Sequence, residues 1–243
     1  MQQAHVLEDL RARIARIEGA GARHGSIPFG VDALDSRLPD GGIATGALHE
    51  IAGSPDLADD ASATIFLAGI LARVEGPVFW CLRWRDLFAP ALHLAGLHPD
   101  RVIHVEAGSD ANVLLAMEEC LRNPGLAGVV GEITRYSTTA SKRLQLAAEG
   151  SGVPAFVFRR ASRPELAAEG TAAVTRWRIA AAPSENLGIP SLGRPRWLAT
   201  LERVRGGNPH SWIVEGCDAS GRIALPAALV DRPAATEDHQ IAA

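Results

Sequence analysis

"HEIAGSPDLADDASATIFLAGILARV", residues 49–74, decides how the rest of the chain is read. An apolar strand runs into Gly53, a polar stretch follows, and an Ala- and Leu-rich helix leaves it, which is the strand, loop, helix context of a phosphate-binding loop. A working loop reads G-x-x-x-x-G-K-S/T, because glycines let backbone N–H groups wrap the phosphates, the lysine reaches the outer phosphates and the hydroxyl holds Mg2+. Counting from Gly53 puts Ala58 at the second glycine, Asp59 at the lysine and Asp60 at the hydroxyl. Sliding the register until Thr64 takes the hydroxyl place puts Ala63 at the lysine. Like unit charges about 4 Å apart repel by roughly 4 kcal/mol at an effective dielectric near 20, so Asp59 and Asp60 in such a loop oppose a triphosphate. The expectation is a nucleotide-type fold with no cofactor; the other reading is that the stretch never was a phosphate loop.

Composition removes the usual remedy. Lys142 is the only lysine in the 243 residues, arginine supplies the remaining basic side chains, and Lys142 falls at the start of a different predicted helix. The chain is 47 % hydrophobic and 21 % charged, within the range of a folded globular protein. Its net charge of −4 argues against a surface that grips nucleic acid all over. Residues 159–205 nevertheless carry nine arginines against four glutamates, so one face could meet DNA weakly or an acidic protein. No run of about 18 uncharged apolar residues exists and the charged first residues lack a secretory signal, so the expectation is a cytoplasmic protein with no membrane contact. Cys81, Cys120 and Cys217 are widely spaced, and His93, His98 and His104 do not share a helix face, so reduced thiols and no metal site are expected.

Beyond the loop the chain alternates. Predicted helices at 62–74, 86–95, 110–122 and 137–149 lead into apolar runs at 77–82, 101–107, 126–133 and 153–159, the cadence of crossovers feeding a parallel sheet. After about residue 170 three β-rich runs, 172–182, 196–204 and 211–217, follow with Gly- and Pro-containing turns and should add antiparallel strands at one edge. Leu7, Leu10, Ile14 and Ile17 give residues 7–18 an apolar stripe with Gly19 as a stop. The expected organisation is an amphipathic helix and linker at 1–24, a core domain at 25–231 and a flexible tail at 232–243.

Catalytic motifs are scarce. The strand of "LAGVVGEI", residues 126–133, ends on Gly131 where a metal-holding aspartate is expected, and Glu132 follows as a displaced acid. Ser109 reads as a helix N-cap and the five tryptophans as mostly core. No catalytic centre is expected.

The lead-in "IPFGVDALDSRLPDGGIATGALHEIAG", residues 27–53, resembles RecA-like recombinases, with Gly41, Gly42, Ile43 and Gly46 before a strand ending in Glu50, Ile51 and Gly53. The degenerate loop, "TTASKRLQLAAEGSGVPAFVFR" after "VVGEI", and "RWLATLERVRGGNPHSWIVE" narrow this to a resemblance to the ImuA family over roughly residues 27–218. The resemblance implies a RecA-like α/β fold, a mainly parallel sheet with helices on both faces and antiparallel strands at one edge. It implies a non-catalytic adaptor in SOS-induced bacterial mutagenesis that binds an ImuB-like Y-family polymerase homologue. Through it the chain would meet an error-prone DNA polymerase III alpha-type subunit. Self-association stays open: RecA-like cores meet their neighbours through an N-terminal helix, and the helix at Leu7 to Ile17 reads equally as a binding element or as an intramolecular packing helix. A diverged DNA-stimulated ATPase using Glu132 and an arginine, and a SulA-type division inhibitor, are the rival readings.

Overall fold

The computed structural model describes residues 24–53, 57–160, 170–184 and 193–226. The predicted helix at Leu7–Ile17 and the tail at 232–243 lie outside the described residues.

Chain order is β1 (Ser26–Ile27), α1 (Asp32–Asp35), β2 (Ile43–Ala44), β3 (Leu48–Ala52), α2 (Leu57–Ala72), β4 (Val78–Leu82), α3 (Ala89–Leu94), β5 (Val102–Glu106), α4 (Asp110–Cys120), β6 (Gly128–Ile133), α5 (Thr138–Ser151), β7 (Ala155–Arg159), β8 (Thr175–Ala182), β9 (Arg196–Val204) and β10 (His210–Glu215). One eight-stranded sheet runs β10-β9-β8-β3-β7-β6-β4-β5. The six strands from β8 to β5 are mutually parallel, and β9 and β10 add antiparallel. The first of the three late runs thus differs from expectation: β8 lies beside β3 and parallel to it, so the antiparallel edge has two strands.

Residue alternation along each central strand sorts the core into two layers, because successive side chains point to opposite faces. Ile51, Trp80, Val130, Phe158 and Trp177 pack with Phe66, Leu67 and Ile70 of α2. Leu48, Cys81, Val129 and Val157 pack with Val113 and Met117 of α4 and Leu144 of α5. Helices therefore cover both faces. In the first layer Trp177 lies within 5.7 Å of both Phe29 and Phe66 and 6.0 Å of Trp212, contacts worth about 0.5–1.5 kcal/mol each beyond the area they bury.

Helix α2 is apolar almost all round, which is why it lies buried across the sheet. Its C-terminus is closed by one side chain: the Arg101 guanidinium donates to the carbonyls of Leu71, Ala72, Val74 and Gly76. In the lead-in, β1 pairs with β2, and a Cβ on Gly42 would stand 2.6 Å from the Ile27 carbonyl oxygen. Only glycine lets those two backbones approach so closely. The Asp35 carboxylate fixes the preceding turn by accepting from the N–H groups of Phe29, Gly30 and Val31. Ser109 does cap α4, accepting from Asn112 N–H at 3.3 Å.

His49 on β3 is fully buried and neutral. Its Nε2–H donates to the Ala44 carbonyl at 2.8 Å, and its Nδ1 accepts from the Thr175 hydroxyl, itself the acceptor of Trp177 Nε1–H. Burial pushes its pKa down to about 4, against the upward pull of the Ala44 carbonyl. An unfolded histidine titrates near 6.5, so the neutral native form contributes stability that is fully present above that pH and is lost as pH falls through the folded value. The unfolding free energy should drop by about 3 kcal/mol from this group between about pH 6.5 and 4. Urea titrations across that range check it, and His49→Gln should flatten the slope.

Candidate functional site

Parallel strands end on one rim, and ligands of open α/β sheets bind beyond the carboxyl ends of the strands. Here that rim carries Gly53 after β3, Arg83 to Phe88 after β4, Glu132 to Tyr136 at and beyond the end of β6, and Arg159 and Arg160 at the end of β7. Strand β7 separates the strand of Gly53 from the strand of Glu132.

The acidic pair corrects the sequence expectation about its position. Helix α2 starts at Leu57, not near residue 62, so Asp59 and Asp60 sit in its first turn, where carboxylates interact favourably with the helix dipole. Asp59 is buried, and its Oδ1 accepts from Ala181 N–H of β8 at 2.6 Å. A Cβ on Gly53 would come within 2.6 Å of both Asp60 N and Oδ1, so the strand end packs straight onto this helical turn. Thr64, the hydroxyl of the alternative register, donates back to the Asp60 carbonyl at 2.9 Å. Lys142 lies on α5, across the sheet from α2. One basic group beside the turn is Arg178, which donates to the Gly53 carbonyl at 3.0 Å and pairs with Glu202 at 2.5 Å.

Gly131 and Glu132 face opposite ways. A Cβ on Gly131 would stand 2.1 Å from Met117 Sδ and 3.1 Å from Val113, inside the α4 layer. Glu132 points into the α2 layer, where Oε1 accepts from Trp80 Nε1–H at 2.6 Å and Oε2 meets Arg160 Nε at 2.7 Å. Arg160 also holds Asp86 at 2.7 Å. Burial pushes the Glu132 carboxyl upward, while the Arg160 guanidinium and the Trp80 N–H pull it down. The displaced acid is therefore no geometric substitute for an acid at position 131, since one step along a strand changes face.

Two adjoining cavities open over this ion triad. One, about 170 Å3, is lined by Arg83, Trp84, Asp86, Glu132, Thr134 and Arg160 among others. The second, about 260 Å3, shares Asp86 and Arg160 and is lined further by Thr64, Leu87 and Phe88. Trp84 and Phe88 stand at the mouth, 67 % and 68 % exposed, so Trp84 is the exception among tryptophans that are otherwise core. The sequence signal for this loop was Pro90: a proline in the first turn starts α3 after Phe88, so Asp86 to Phe88 leave the predicted helix 86–95 and join Arg83 to Arg85 in the rim.

The described residues do not fit a Mg2+ triphosphate. Two carboxylates occupy the helix start where phosphates would approach, and Glu132 and Asp86 are both already paired with Arg160. The three histidines have local roles or none in the site: His98 accepts from Asp100 N–H, His93 meets His98 edge to face, and His104 lies on the outer strand.

No family model matches the chain. It is 37 % identical over 234 residues to Protein ImuA of Caulobacter vibrioides strain NA1000 / CB15N, an alignment spanning 89 % of this chain and 92 % of that one. Protein ImuA of strain ATCC 19089 / CIP 103742 / CB 15 matches to the same extent. The chain belongs to the ImuA family. Among solved structures the RadB recombinase superposes with a TM-score of 0.57 at 18 % identity, covering 82 % of this chain and 99 % of RadB. This ImuA-family chain thus has the RecA-like fold, built as a mainly parallel sheet with an antiparallel edge. Among its described residues no helix is long and apolar enough to cross a membrane.

Proposed function

We propose that this ImuA-family chain is a RecA-like adaptor without ATPase activity. In SOS-induced mutagenesis it binds an ImuB-type Y-family polymerase homologue and helps assemble or regulate an error-prone translesion complex, reaching a DNA polymerase III alpha-type subunit indirectly. The supporting observation is the rim itself, where Asp59 and Asp60 open the helix and Arg160 satisfies Glu132 and Asp86 internally. Calorimetric titration with ATP and Mg2+ is the test, and no saturable heat is expected. Binding with turnover would remove the adaptor reading.

One observation favours an ATPase instead: Glu132 is a buried, upward-shifted carboxyl beside a cavity at the strand ends. In that reading Glu132→Gln abolishes hydrolysis; in ours the variant and the parent are equally inactive.

The rim also supplies a surface for a protein partner. Exposed Trp and Phe beside Arg83 and Arg160 are the residue types that dominate interface energetics. Trp84→Ala combined with Phe88→Ala should lower affinity for the polymerase homologue by at least about tenfold, measured on co-expressed, purified proteins. An unchanged affinity would move the partner to another face.

Direct DNA contact is proposed to be weak and salt-sensitive. Of the nine arginines in 159–205, the eight described ones bond within the chain: Arg160, Arg176, Arg178, Arg194 and Arg196 to carboxylates, and Arg159, Arg203 and Arg205 to carbonyls. A tight, salt-independent DNA complex in a salt titration would contradict this.

A further inference from the structure

Cys81 and Cys120 belong to the sheet face opposite the α2 layer and have no part in the proposed function. Cys81 on β4 is fully buried, and Cys120, the last residue of α4, is partly exposed. Far apart in sequence, they are brought together by the fold. Cys81 is the register partner of Gly131 on β6, so both positions face α4. A Cβ on Gly131 would stand 2.1 Å from Met117 Sδ, so the helix rests directly on the sheet at this point. Cys120 follows Met117 by three residues and shares its side of the helix. It packs against the cluster that holds Cys81, Met117 and Leu121, and the two thiols share a hydrogen bond.

That hydrogen bond gives the pair two roles. Cys120 accepts it, which holds its thiol below the ordinary cysteine range against the upward push of partial burial and of Glu119. Cys81 donates it, and the bond together with burial pushes its own thiol far up. A thiolate, not a thiol, is the nucleophile, so the first attack falls to Cys120, the member that solvent reaches. Cys81 stands beside it as a resolving thiol. Cys217 has neither property: it packs in the α2 layer, and burial pushes its thiol up to about 12.

We propose that Cys120 and Cys81 form a peroxide-sensitive dithiol whose oxidised state is a disulfide tying the end of α4 to β4. The Cys120 sulfur attacks one oxygen of a hydroperoxide, the O–O bond breaks, and the departing oxygen takes the thiol proton and leaves as an alcohol or water. Cys120 becomes a sulfenic acid. The Cys81 sulfur then displaces its hydroxyl, which takes the Cys81 proton and leaves as water while the S–S bond forms. The peroxide accepts the electron pair that the two thiols give up. The cross-link joins two elements that meet again at the rim, where Arg83 after β4 pairs with Asp110 of α4 at 3.5 Å.

Hydrogen peroxide added to the reduced full chain, followed by alkylation and peptide mapping, tests this. Trypsin releases Cys81 within residues 74–83 and Cys120 within residues 102–122. The two free peptides should disappear together and return as one cross-linked species that dithiothreitol reverses, with both thiols lost about tenfold faster than Cys217. Cys81→Ser removes the resolving thiol, and dimedone should then label Cys120 as a persisting sulfenic acid. Cys120→Ser should leave Cys81 as slow to react as Cys217. Oxidation of Cys120 no faster than Cys217, or its oxidation to sulfinic acid without a cross-link, would overturn the proposal. So would cross-linking that rises with protein concentration, which would place the bond between two copies. These outcomes are read on the parent protein and do not depend on either variant folding.

Discussion

Glu50→Gln should lower the unfolding free energy by about 3–5 kcal/mol, read from urea denaturation near neutral pH. Glu50 on β3 is buried, pairs with the buried Arg176 guanidinium of β8, and accepts from the Tyr136 hydroxyl. Tyr136 meets Thr171 at 3.2 Å, and its ring lies under Arg159, with 5.6 Å from the guanidinium carbon to the ring centroid. Burial, then the Glu50 charge, holds the Tyr136 pKa well above its ordinary value, so it remains a neutral donor. Glutamine keeps the shape of the side chain but removes the Glu50 charge that faces the Arg176 guanidinium in the interior. Replacing both partners, Glu50→Met with Arg176→Met, should recover most of the loss, because the apolar pair no longer strands a charge. A single-variant loss below about 1 kcal/mol would show that water reaches Arg176 and that the pair is not buried as described.

Gly131→Asp, the substitution that would put an acid at the expected metal-holding position, should cost about 4 kcal/mol or more and create no ATPase. Its Cβ would overlap Met117 Sδ at 2.1 Å, in a layer where Met117 and Val113 are fully buried. Overpacking of this kind costs about 1–3 kcal/mol, and the carboxylate would be desolvated besides. Thermal unfolding should fall by about 10 °C for a chain of this size. An unchanged midpoint, or Mg2+-dependent ATP turnover in the variant, would show that the α4 layer yields and that the fold still accepts the missing acid.

The sequence was a good guide to the sheet and a poor one to the rim. Runs such as Val78–Leu82, Gly128–Ile133 and Ala155–Arg159 are fully or almost fully buried parallel strands, and a short apolar run between helical stretches has few other readings. The pairing of β8 was hidden because a strand carries no local mark of parallel or antiparallel company; Thr175 and Arg176 join β3 through partners, His49 and Glu50, about 126 residues away. The same distance hid the Glu50–Arg176 pair, which looks like two ordinary surface charges until the strands meet. Asp59 and Asp60 were seen as chemically wrong for phosphate, yet their contribution to the helix start and to β8 needed coordinates. Arg160 gave no signal at all, since an arginine after a strand is common and only the fold brings it to Glu132 and Asp86.

The placement of the five indoles gives the molecule an optical consequence. Trp80, Trp177, Trp197 and Trp212 are shielded from solvent, whereas Trp84 projects at the mouth of the rim cavities. Emission at long wavelength, and quenching by acrylamide, should therefore come from one residue at the cleft, against a protected background from the other four. A protein that closes over that mouth would shift the spectrum to the blue without any label being attached.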